Sequence, residues 1–173
     1  MIDPDDDPDY PTETPASDWS RELDAAEPRD PRLDHYVDLV SHVLMRFQWI
    51  EEFLKTYILA AHQMISVRTM GILDYAYDER AIRSMPLSPL IKLFARLGGD
   101  PTIVFRLNGL PDERNKVAHT SFLIRFNRDG KIDDFDQRLV DLKALDEQIK
   151  GLPFAINQDY RALVNRLKAA NAP

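Results

Sequence analysis

The sequence predicts an all-α protein: an up-down antiparallel helical bundle built on one long N-terminal helix, with a small β-hairpin before the last two helices. Three observations carry this. The first is a row with alternating spacings of four and three: Leu33, Val37, Val40, Leu44, Phe47, Glu51, Leu54, Ile58, Ala61 and Ile65. That is the period of a helix with one apolar face. The second is that the later apolar rows repeat at helical spacing and stop at Gly, Pro or Asp. The third is that alternation, the strand period, appears in one place, Ser121-Phe122-Leu123-Ile124-Arg125-Phe126.

Residues 1–31 stand apart. They contain six of the twelve prolines and almost no aliphatic periodicity. They hold eleven Asp/Glu and two Arg, a balance of −9, whereas the remainder holds eighteen acids and twenty bases, a balance of +2. So the formal charge of −7 describes an acidic tail on a near-neutral body, and it does not argue against nucleic acid as a partner of that body. A segment so polar and proline-rich buries too little surface to offset its ordering entropy, and disorder is expected, with Trp19 and Leu23 able to dock locally. It reads as a solubilising tail or as an intramolecular mimic of nucleic acid covering a basic cleft. The domain proper is expected over 32–173.

The long helix is expected over 32–66, a rod of roughly 50 Å at 1.5 Å per residue. A second row, Tyr36, Val43, Ile50, Tyr57 and Met64, widens its apolar face. Glu51 is the single polar residue in the first row. A carboxylate facing a core is costly unless paired, so it needs a cation, and Arg114 is the candidate. Met45, Trp49 and Phe53 form a second stripe at four-residue spacing away from the main seam. A helix apolar on two faces is covered on both, and a second subunit is the expected cover. His35, His42 and His62 lie along the helix without a carboxylate to complete a metal set, and read as surface or satisfied histidines.

Beyond the long helix, a short helix is expected within Ile72–Ser84. Ser88 is expected to cap a helix carrying Leu90, Ile91, Phe94 and Leu97, which Gly98-Gly99 stop. Asp100 caps the next, with Pro101 in its first turn and Ile103, Val104 and Leu107 inward. Asn108-Gly109-Leu110-Pro111 is expected to kink or break that helix, which resumes through Asp112 to about His119, with its acids in the favourable first turn. Asn127-Arg128-Asp129-Gly130 is a turn signal before Lys131-Ile132, hence the hairpin. Leu139, Leu142, Leu145 and Ile149 mark one closing helix, which ends near Gly151-Leu152-Pro153, and Tyr160, Leu163, Val164 and Leu167 mark the other.

The chemistry-bearing segment is Arg114-Asn115-Lys116-Val117-Ala118-His119. A fixed cation, an amide and an imidazole sit within six residues of a stretch whose flanks are apolar. Such conflict between local pattern and burial is typical of functional sites. Asn115 and His119, four apart, share a helix face. Arg114 and His119, five apart, are roughly 140° apart around the helix. Either the arginine curls toward the imidazole, or two copies of the helix pool their residues in one cleft. These groups suit cleavage of RNA without a metal. Histidine titrates near neutrality and can exchange a proton with a 2′-hydroxyl or a leaving 5′-oxygen. Arginine stays charged and can stabilise a phosphorane. Asn115 can orient the imidazole or hold the ribose-phosphate, and Lys116 can add a phosphate contact. The bland reading is a hydrogen-bond network tying helix to hairpin.

An Arg, then Asn, then three residues, then His on a late helix resembles the signature of HEPN domains, with Arg114, Asn115 and His119 in the matching positions and the long first helix with Glu51 in support. The resemblance spans about residues 32 to 170. It implies a helical homodimer and an RNA-cleaving site of the toxin or phage-defence kind shared between copies. It also implies a possible antitoxin partner, such as a small nucleotidyltransferase. The family includes modules that bind RNA, nucleotide or protein without cutting, and that is the alternative. A third reading is a helical interaction protein whose acidic tail makes the contacts.

Other chemistries find no support. There is no cysteine, no Gly-rich phosphate loop, no His-Glu-x-x-His and no serine in a nucleophile elbow. No cofactor or metal is expected. No apolar run approaches the ~20 residues that span a bilayer, and the N-terminus lacks a basic segment followed by an apolar one. A cytoplasmic protein without membrane contact is expected.

Overall fold

The computed structural model describes residues 31–126 and 135–170. The tail expected over 1–31 lies outside them except for Pro31. The chain divides into two units, 1–34 and 35–173. The described residues form seven helices and no strand: α1 Pro31–Thr69, α2 Glu79–Ser84, α3 Leu87–Arg96, α4 Pro101–Leu107, α5 Leu110–Phe126, α6 Phe135–Ile149 and α7 Leu152–Ala170.

α1 sets the core. Its buried residues are Tyr36, Val40, Val43, Phe47, Ile50, Leu54, Tyr57, Ile58 and Ala61. The centre of burial therefore runs between the two expected rows. Val37, expected inward, is 49% exposed. Glu51 sits about 60° from the buried line and borders the core instead of facing it. Tyr57 meets Phe94 of α3 edge-on, with ring centroids 4.7 Å apart. Tyr36 meets Phe135 of α6 at 5.5 Å. Tyr57 and Phe94 are fully buried, and burial of a side chain such as Phe94 contributes about 1.5–3 kcal/mol of transfer free energy.

Polar ties surround this core. Arg46 of α1 pairs with Asp146 Oδ1 of α6 at 3.2 Å, off the line of a hydrogen bond, and its Nη1 donates to the Asp146 carbonyl at 3.3 Å. Asp100 caps α4 as expected, with Oδ1 accepting from the Thr102 and Ile103 amides at 2.7 and 3.4 Å. The Asp100 amide donates to Asp159 Oδ2 of α7 at 2.9 Å. Arg106 donates to the Gln148 carbonyl in the last turn of α6 at 3.2 Å, where a cation also meets the helix dipole favourably.

Two local expectations are corrected. α3 begins one residue before Ser88, with Pro86 at the cap position and no side-chain capping bond. Proline fixes the extended backbone there, and Ser88 falls in the first turn. The β-hairpin is not found: Ser121–Phe126 continue α5, and 127–134 lie outside the described residues. A short apolar run fits a buried helix as well as a strand. Extending an existing helix adds one hydrogen bond per residue fixed, without a new nucleus.

Candidate functional site

α5 begins where Gly109 takes φ +83°, a backbone conformation that favours glycine. Pro111 lies in the first turn, where its missing N–H costs nothing, so the helix runs unbroken through the cluster. Leu110 and Val117 are buried, at 1% and 7% exposure, and define the inward line of α5.

That line places every member of the cluster. At 100° per residue, Arg114 lies about 50° from it, Asn115 about 150° and His119 about 170°. Arg114 thus stands at the edge that meets α1. Its Nε is 4.0 Å from Glu51 Oε1, so the expected pair forms, with the arginine side chain 44% exposed and the glutamate 19%. Arg114 Nη1 reaches Asn115 Oδ1 at 3.5 Å, the outer limit of a hydrogen bond. Lys116 pairs along the helix with Glu113 at 3.9 Å and faces solvent. Asn115 and His119 are exposed, on the side away from α1. The structure therefore brings together Glu51, Arg114 and Asn115, and it leaves His119 on the far side of the same helix.

The pairing has a simple electrostatic reading. At 4.0 Å the two charges attract by about 4 kcal/mol at an effective dielectric constant of 20. Partial exposure and side-chain ordering reduce the net value to about 0.2–1 kcal/mol. Glu51 is thus too weakly coupled to be essential to the fold through Arg114, yet close enough to restrict where the guanidinium points. An arginine restrained on one side keeps its remaining donors for an anion. Among the described residues no group of three or more His, Asp or Glu is placed to hold a metal ion, and no helix is long and apolar enough to cross a membrane.

A second cluster escaped the sequence reading. At the end of α1, His62 Nδ1 and the Tyr75 hydroxyl share a hydrogen bond of 2.5 Å. The imidazole stacks on Tyr77, with centroids 5.0 Å apart and planes 15° apart, and lies 5.9 Å from Tyr75 at 25°. Burial pushes the His62 pKa down, which keeps the ring neutral near pH 7. The signal was the spacing of Tyr75 and Tyr77 in an otherwise aperiodic connection. Only the return of that loop onto α1 shows which histidine they meet.

Comparison with protein-family models, curated proteins and solved structures finds no match for this chain.

Proposed function

We propose that the chain is a metal-independent endoribonuclease of HEPN type, of the toxin or phage-defence kind. It would cleave RNA by attack of the 2′-hydroxyl on the adjacent phosphate at a cleft shared by two copies. The observation that carries this reading is the restrained Arg114: its guanidinium is held beside Glu51 and remains half open to solvent, next to an exposed amide and on the same helix as an exposed imidazole five residues on. In the reaction His119 takes the 2′-hydroxyl proton or protonates the leaving 5′-oxygen, Arg114 stabilises the charge that builds on the phosphate oxygens, and Asn115 holds the ribose-phosphate. Because Arg114 and His119 diverge on one helix, the two groups meet only if a second copy supplies one of them. The exposed stripe of Met45, 38%, and Trp49, 50%, supports a homodimer in an up-down antiparallel bundle fold. A small nucleotidyltransferase as antitoxin and a cytoplasmic location complete this reading.

The same divergence also favours a second reading, a non-catalytic module of that kind which binds RNA, nucleotide or a protein partner through Arg114. Cleavage of a structured RNA panel in EDTA, wild type beside His119→Ala, separates the two. Cutting that survives EDTA, spares DNA and disappears in the variant is expected. A folded, dimeric wild type that cuts nothing, with or without residues 1–31, would overturn the nuclease reading in favour of binding.

A further inference from the structure

Where α1 ends, Ser66, Met70, Gly71, Ile72, Leu73, Asp74 and Tyr75 line an open surface depression of about 490 Å³. That is within the size range of small-ligand sites, ~300–1,000 Å³. Three of its features are chemically distinct. Tyr75 offers an aromatic ring whose hydroxyl is tied at its edge to Nδ1 of His62, itself stacked on Tyr77. A ring fixed in this way can receive a planar ring on its face at little entropic cost. Met70 and Ile72 supply apolar sides and are 74% and 87% exposed. Asp74 supplies a carboxylate that makes no ion pair among the described residues.

An aromatic wall with apolar sides fits a flat heterocycle, as unstacked bases fit aromatic platforms in RNA-binding proteins. The carboxylate selects among the bases. An ionised carboxylate only accepts hydrogen bonds, through two oxygens side by side. It therefore matches an edge with two adjacent donors. Guanine alone has one, in N1–H and the 2-amino group. Cytosine and adenine put a ring acceptor beside their amine, and uracil flanks its single donor with two carbonyls, so each would set lone pairs against Asp74.

We propose that this depression binds a single guanine base, stacked on Tyr75 and held at its Watson–Crick edge by Asp74. The site does not rest on the nuclease reading: it is formed by residues far in sequence from Arg114 and His119, and it would serve a protein that only binds. In a nuclease it would select guanine-containing sites.

The test is calorimetric titration of the full chain with guanosine, inosine and uridine 5′-monophosphates. Inosine lacks only the 2-amino group. One saturable site for the guanosine nucleotide is expected, roughly tenfold or more tighter than for the other two, the size of one hydrogen bond to a charged acceptor. Asp74→Asn should abolish that preference, Asp74→Glu should keep much of it, and Tyr75→Ala should weaken all three. Asp74 lies on an exposed loop outside the helices, so the helical circular dichroism of its variants should match wild type. His119→Ala should bind the guanosine nucleotide as wild type does, whether or not RNA cleavage is lost. Equal affinity for the three nucleotides, no binding at millimolar concentration, displacement by inorganic phosphate alone, or an unchanged preference in Asp74→Asn would each overturn the proposal.

Discussion

The Glu51–Arg114 pair can be tested by a double-mutant cycle of Glu51→Gln and Arg114→Met with the double variant. The pair is 4.0 Å apart and the arginine is 44% exposed. Pairs of this exposure couple by about 0.2–1 kcal/mol, so a value near 0.5 kcal/mol is expected. For a chain of this size that corresponds to roughly 1–2 °C in Tm. The assay is equilibrium unfolding in urea; the cycle isolates the pair's coupling when each single change removes the contact without creating another. The same three proteins are then assayed for RNA cleavage or RNA binding. Arg114→Met should remove function while costing little stability. Glu51→Gln should retain part of it, because the amide still crowds the guanidinium but no longer attracts it. A coupling above about 2 kcal/mol would refute the reasoning. It would show the pair to be desolvated as a unit, and Arg114 would then be a structural cation whose loss harms function through the fold.

Gly99→Ala should destabilise the protein by about 1–3 kcal/mol in the same urea assay, since its Cβ would lie 2.4–2.6 Å from the buried Phe94 ring and force it off Tyr57; an unchanged midpoint would contradict that packing. Tyr57→Phe should be neutral or slightly stabilising, within about 1 kcal/mol, because the buried hydroxyl has no partner among the described residues and its removal relieves a desolvation cost. A clear loss of stability would place an acceptor or an ordered water at that oxygen. His62 has a folded-state pKa below its unfolded value because of burial. The unfolded chain therefore binds the proton first, and the stability linked to neutral His62 is fully present above about pH 6.5 and declines as pH falls toward the folded pKa. Thermal melts across that range should show a decline that His62→Gln removes; identical pH profiles would count against it.

The sequence carried the helices because their signals are local. Asp100 and Pro101 start α4, Gly109 separates α4 from α5, and the spacing of Leu142, Leu145 and Ile149 gives α6 its inner face. It also carried the need of Glu51 for a cation, since burial cost depends on residue type and position in a periodic row. Only tertiary structure decided the rest. The tilt of α1 toward its Tyr36, Val43, Ile50 and Tyr57 row moved Glu51 to the border of the core and Val37 into solvent, because both rows were apolar enough to be the centre and their neighbours chose between them. Ser121–Phe126 continued α5, because an apolar hexapeptide suits both periods and the helix before it was already nucleated. The His62–Tyr75–Tyr77 stack joins residues whose meeting depends on a loop's path. No sequence period records it, because it is a contact between an element and an irregular segment.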